Sequence, residues 1–145
     1  MYIPRRGDIV WINFDPQAGH EQANVRPALV LSDEQYNRRL RLAIMCPITT
    51  RRASYRRYLD VSIPPEVTIQ NKDSTGLIKL TGVIQTDHIK SLDWLERDAK
   101  YAGDMPNDAV NQVLQIVGTL VKNLGCTIIQ LLMAVEKALL STLRA

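Results

Sequence analysis

The sequence predicts a mainly β protein, a small antiparallel barrel with a C-terminal helix laid against it and an extra apolar helix beyond. Three observations carry this. About five short runs rich in β-branched and aromatic residues fill the first two thirds of the chain, and no helical period separates them, which argues against an alternating βαβ sheet. A single 3.6-residue apolar period then sets in at Asn107. A last stretch, Cys126 to Ala145, is apolar nearly all round. With 145 residues and 46% hydrophobic content, the chain can bury one core and is short for two. The organisation expected is a barrel domain over 1–122 and a helical extension over 123–145, packed on the domain or across a dimer.

Taken in order, Gly7 to Phe14 reads as a first strand ending at Asp15-Pro16. A polar loop follows, then Pro27 to Leu31, a continuous apolar run that suits a central strand buried on both faces, with Pro27 at its first position. Ser32 resembles an N-cap for one helical turn through Gln35, broken at Asn37 and the arginines after it. Leu42 to Ile48 is a third strand that delivers Thr49 and Thr50 at its end. Tyr58 to Ile63 alternates and is closed by Pro64-Pro65. Glu66 to Ser74 reads as a loop, Gly76 to Leu80 as a short additional strand, and Val83 to Leu92 as a further strand with a bend. Val110, Val113, Leu114, Val117 and Leu120 or Val121 mark one amphipathic helix from Asn107 to Val121, with Pro106 at its start and Gly125 past its end.

The loop between the first two strands holds Glu21 and Arg26. A carboxylate moves protons and a guanidinium offers a rigid fork of donors suited to phosphate, so the pair is either a surface ion pair or part of a phosphate-ester site. The formal charge is only +3, from 18 Lys+Arg against 15 Asp+Glu. Its distribution says more: between Gln35 and Leu59 stand Arg38, Arg39, Arg41, Arg51, Arg52, Arg56 and Arg57 and no acidic residue, a field that attracts a polyanion or a solvated face. Cys46 and Cys126 lie far apart without the neighbours a metal site needs, and both read as reduced and packed. The N-terminus lacks the apolar segment of a secretory signal, and no run approaches roughly 18 apolar residues. A cytoplasmic location without membrane contact is expected.

Six blocks in order, Gly7-Asp8-Ile9-Val10-Trp11, Asp15-Pro16, Gly19-His20-Glu21-Gln22, Arg26-Pro27-Ala28-Leu29-Val30-Leu31-Ser32, Pro47-Ile48-Thr49-Thr50 and Gln85-Thr86-Asp87-His88-Ile89-Lys90-Ser91-Leu92, resemble the signature blocks of the MazF/PemK family of toxins. The resemblance covers roughly residues 5 to 122. It implies an SH3-like barrel, a homodimer, and an endoribonuclease that needs neither metal nor cofactor and cuts single-stranded RNA until a cognate antitoxin blocks it. By position, Glu21, Arg26 and Thr49 match the family's functional glutamate, arginine and threonine. The chain departs where many members have Asp-Gln and it has Asp87-His88.

In that reading Glu21 acts as base on the 2′-hydroxyl or orients it, Arg26 stabilises phosphoryl charge, and Thr49, or less readily Thr50, hydrogen-bonds a phosphate oxygen, giving 2′,3′-cyclic phosphate and 5′-hydroxyl ends. The RNA-binding set is Gln22, Thr50, Arg51, Arg52, Arg56, Arg57 and Gln85, with Tyr55 and Tyr58 available for stacking and Tyr58 equally a core residue. His20 adjoins Glu21 but points to the opposite side of an extended segment. His88 reads as a packed or surface histidine in a strand, and Trp11 and Trp94 as packing or dimer contacts. Two alternatives stand beside the ribonuclease: a toxin of the same fold that binds a protein such as DNA gyrase, as a related family does, and an RNA-binding relative without activity. The apolar extension packs on the barrel or dimer, or occupies in cis a groove that an antitoxin would fill.

Overall fold

Alternation of apolar side chains builds a sheet with a core on each face. A computed structural model describes residues 1–16, 24–51, 58–122 and 124–144, with backbone alone over 124–130 and at 132. Strand β1 (Asp8–Asn13) pairs antiparallel with β2 (Val25–Val30), and β2 with β3 (Leu42–Thr49), in a register that sets Ile9 opposite Leu29 and Leu29 opposite Cys46. These three enter one apolar cluster, together with Ile48, Val61, Ile84 and the helix residues Ala109, Val110 and Val113. Their neighbours Val10, Ala28, Val30 and Met45 point the other way, into a second cluster closed by Phe14, Leu92 and Trp94. β2 is thus central and buried on both faces, as its continuous apolar run predicts. It begins at Val25, however, so Pro27 takes the third position, opposite Trp11 and just before the ladder to β3 opens at Ala28.

The helix after β2 is longer than one turn. α1 spans Glu34–Leu40, capped by Asp33, whose carboxylate accepts from Tyr36 N at 2.9 Å, and it ends at Arg41 in the left-handed region. Ser32 cannot cap because its hydroxyl is used inward. It donates to Asn37 Oδ1 at 2.5 Å and accepts from Ile44 N at 2.8 Å. Asn37, expected to break the helix, is fully buried within it and also donates to Pro4 O at 2.8 Å.

Past β3 come β4 (Asp60–Ser62), β5 (Thr68–Gln70) and β6 (Leu77–Lys79). The expected loop over Glu66 to Ser74 contains β5, which pairs with β6 in a two-stranded sheet and buries Ile69. The expected strand over Val83 to Leu92 is broken into β7 (Val83–Gln85), a 3-10 turn at Thr86–His88 and β8 (Lys90–Asp93). The break lets one segment pair with both halves of β3, β7 at Ile48 and Thr49 and β8 at Leu42 to Met45, and it puts His88 in the turn rather than in a strand. β9 (Lys100–Asp104), which sequence reading missed, covers the outer edge of β1. The main order is β4-β7-β3-β2-β1-β9, barrel-like but not closed by a ladder from β9 to β4 among the described residues.

α2 spans Asn107–Val121 as its period predicts. It packs through Val110 and Val113, whereas Leu120 and Val121 in its last turn are exposed. α3 follows over Leu124–Leu143. Its described side chains, Leu131 and Met133 to Leu143, are all exposed, so packing on the barrel is not seen over that stretch.

Candidate active site

Register decides which polar residues meet. Arg26 lies two residues before Ala28 on β2 and Thr49 two residues after Pro47 on β3, and Ala28 and Pro47 are partners. Side chains alternate along a strand, so Arg26 and Thr49 project from the same face at the same end of the β2–β3 pair. β7 adds to that face. Thr49 is opposite Val83 and Gln85 is two residues on, while Ile84 and Ile48 turn into the core on the other side. Asp60 on β4 is the partner of Gln85 and shares its face.

Thr49 is only 4% exposed and Gln85 6%, whereas Arg26 is half-buried and Thr50 and Arg51 are exposed. Thr49 Oγ1 accepts from Arg51 N at 3.2 Å, which turns the chain at the end of β3 and keeps the hydroxyl's own proton as a donor. The turn is supported from below by Gly82, whose backbone (φ +113°) passes so close that a Cβ there would lie 2.2 Å from the Thr49 carbonyl oxygen. Glu21, Gln22, Arg52, Arg56 and Arg57, along with His20 and Tyr55, lie outside the described residues.

The ends of the segment that carries Glu21 are well defined. Phe14 N donates to Asn24 O at 3.1 Å, and Asn24 N donates to the Asp15 carboxylate at 2.8 Å. Asn24 sits at φ 64° and the Asp15–Pro16 peptide is cis. Arg97, from the turn between β8 and β9, donates through Nη1 to Asn13 O at 3.0 Å and Asp15 O at 2.6 Å. Beside this point lies an open groove of about 640 Å³ lined by Trp11, Asn13, Asp15, Val25, Lys72 and Lys100 among others. Neither Arg97 nor Gly82 carries a signal in sequence, because each acts through a contact with chain that is distant in number.

The arginine run divides. Arg38 and Arg39 ride on α1 and Arg41 caps it, at the end of β3 opposite to Thr49, about 23 Å away for a strand of eight residues. Arg38 pairs with Glu34, and Arg41 with Asp93 at 3.6 Å. These three are therefore not on the site's end of the sheet, where Arg51 stands. Tyr58 is exposed and not core. Trp94 is packed, donating to Asn37 O at 2.9 Å, and Trp11 donates to Gln70 O at 2.8 Å, tying β5 to β1. Cys46 is buried and free, and Cys126 lies where side chains are not described. Among the described residues no group of three or more His, Cys, Asp and Glu could hold a metal, and no helix is long and apolar enough to cross a membrane.

A half-buried guanidinium and a turn of hydroxyls at one sheet end form an arrangement suited to a phosphate. Residues 5–121 match the model of a family described as PemK-like, MazF-like toxin of type II toxin-antitoxin system. The chain belongs to the PemK/MazF toxin family. Among its relatives in the family, the endoribonuclease toxin MazF of Escherichia coli K12 is 31% identical over 120 residues, covering 83% of this chain and 96% of that protein. The endoribonuclease toxin ChpB of the same strain is 34% identical over 110 residues, covering 75% and 86%. The crystal structure of MazF from Deinococcus radiodurans superposes with a TM-score of 0.71 at 38% identity, over 83% of this chain and 98% of that one. A MazE-MazF structure from the same organism gives 0.67, also at 38% identity, over 83% and 97%. The matched region of the family model stops at residue 121, so α3 lies beyond it.

Proposed function

We propose that this protein is a toxin endoribonuclease that cuts single-stranded RNA by attack of the 2′-hydroxyl, without a metal, at the end of the sheet where Arg26 and Thr49 emerge. The observation that carries the reading is their common face and level, at the mouth of the segment that bears Glu21. RNA supplies its own nucleophile. Glu21 takes the 2′-hydroxyl proton as the bond from that oxygen to phosphorus forms. Arg26 stabilises the charge of the phosphorane and passes a proton to the 5′-oxygen as its bond to phosphorus breaks, the guanidinium being restored from solvent. Thr49 donates to a non-bridging oxygen. The products are a 2′,3′-cyclic phosphate and a 5′-hydroxyl. The exposure of Thr50 favours a second assignment, in which Thr50 makes that contact and the buried Thr49 shapes the turn.

Arg51, with Arg52, Arg56, Arg57, Gln22 and Gln85, holds the flanking nucleotides. The MazE-MazF structures of a relative support a cognate antitoxin as partner. A homodimer and a cytoplasmic location complete the reading.

The test is incubation of the protein with a long single-stranded RNA in EDTA, beside Glu21→Ala and Arg26→Ala variants checked for folding. Discrete fragments with 5′-hydroxyl ends are expected, reduced by about 100-fold or more in each variant. Intact RNA would move the function to a binding role, with a protein target such as DNA gyrase as the first to try, and wild-type cutting by both variants would take the chemistry away from Glu21 and Arg26.

A further inference from the structure

Arg97 does something that its sequence context does not announce. It stands in the turn between β8 and β9, and that turn is rigid. Asp93 Oδ1 accepts from Leu95 N at 3.1 Å and Glu96 N at 2.9 Å, Arg97 N donates to Asp93 O at 3.0 Å, and Ala99 N donates to Trp94 O at 2.9 Å. Trp94 is itself buried and tied to α1 through Asn37. From this platform the half-buried guanidinium reaches the end of β1 and holds the carbonyls of Asn13 and Asp15.

Those carbonyls flank the last rungs of the β1–β2 hairpin. Asn13 is opposite Val25 and Ile12 opposite Arg26, and Phe14 closes the pair on Asn24. Terminal rungs of a hairpin open more easily than its middle, so an external clamp on Asn13 and Asp15 limits where Val25 and Arg26 can move. Nothing comparable is needed for the core, because Val10, Ala28 and Val30 are packed further along the same strands.

We propose that Arg97 is a positioning residue for RNA cleavage, fixing the hairpin end from which Arg26 meets the phosphate. The inference rests on the reading of Arg26 given above. A displacement of about 1 Å at a reacting group costs on the order of 100-fold in rate. Loss of the clamp therefore lowers kcat and leaves KM nearly unchanged.

The experiment uses the full chain and a short RNA spanning a cleavage position mapped with the wild-type protein. Arg97→Met, Arg97→Lys, Arg26→Ala and the Arg97→Met/Arg26→Ala pair are compared for kcat, KM, thermal midpoint and the salt dependence of KM. Arg97→Met is expected to lower kcat by roughly 30- to 100-fold with KM within about threefold, and Arg97→Lys to recover most of the loss. In the Arg26→Ala background the same change is expected to cost less than about threefold, because there is no longer a guanidinium to misplace. Equal losses in both backgrounds overturn the proposal. So does a salt slope reduced by about 0.7, which marks a direct contact to an RNA phosphate. If Arg97→Met does not fold, Arg97→Gln carries the test, since its shorter amide cannot hold the Asn13 and Asp15 carbonyls together; a kcat equal to that of the wild type there overturns the proposal. An Arg26→Ala protein that cleaves normally removes the site reading itself, whereas a normal Arg97→Met beside an inactive Arg26→Ala removes only the positioning role.

Discussion

Gly82 determines how closely β7 approaches the turn that follows β3. Its φ of +113° is open to glycine and strained for other residues, and the Cβ of an alanine would press on the Thr49 carbonyl oxygen at 2.2 Å and on Thr50 Cα at 3.0 Å. Backbone rather than a flexible side chain is in the way, so the neighbours cannot simply swing aside. Gly82→Ala is expected to cost about 2 kcal/mol or more of stability. It should also lower RNA cleavage at least about tenfold in the protein that remains folded, because Thr49 and Thr50 move together. A urea titration and a cleavage assay on the same preparation check both, and wild-type values in each would show that the turn relaxes without consequence.

α2 and α3 differ in what holds them. α2 buries Val110 and Val113 against the first cluster, whereas the described side chains of α3 face water, with Leu143 82% exposed. A helix of twenty residues is about 30 Å long, and in most proteins its stability comes from packing an apolar face. The barrel therefore gains little from the described side chains of α3. Deleting residues 124–145 is expected to leave the thermal midpoint within about 2 °C and the cleavage rate within about twofold, while binding of a hydrophobic dye falls. A tenfold rise in rate would instead establish that α3 restrains the site, and a change of mass by light scattering that it joins two chains.

At the scale of the whole molecule, three acids among the described residues that ionise in alkali are held neutral by the fold. Burial pushes the Cys46 thiol up to about 12, with the Asp87 carboxylate adding to it. Burial and a 2.6 Å hydrogen bond to Asp8 raise Tyr2, and burial, followed by Asp104, raises Tyr101. The unfolded chain ionises these groups at ordinary values, so above about pH 9 it binds fewer protons than the folded one and the stability slope with pH is negative. Stability should be level in this respect up to about pH 8 and fall between pH 9 and 12. Denaturant midpoints at pH 7 and pH 10 measure it, and Cys46→Ala is expected to flatten the fall. An identical slope in the variant would assign it to the tyrosines.

What the sequence determined by itself is what neighbouring residues settle among themselves. β-branched runs, Pro64-Pro65 and the period of Val110, Val113 and Val117 placed most strands, and α2 at its observed ends, because these preferences act over a few residues. The blocks around Arg26 and Thr49 could be read as a candidate site because their residue types and order stand in the sequence itself. Tertiary structure decided the rest. Thr68–Gln70 is a strand only because β6 lies beside it, and Ser32 yields the helix cap to Asp33 only because its hydroxyl is drawn to Asn37 and Ile44. Arg26 and Thr49 share a face through a register set along β2 and β3, the arginines of α1 are carried to the far end, and Arg97 finds Asn13 across 84 positions. Register and long-range hydrogen bonds arise only when the chain closes on itself, and no local pattern of residues encodes them.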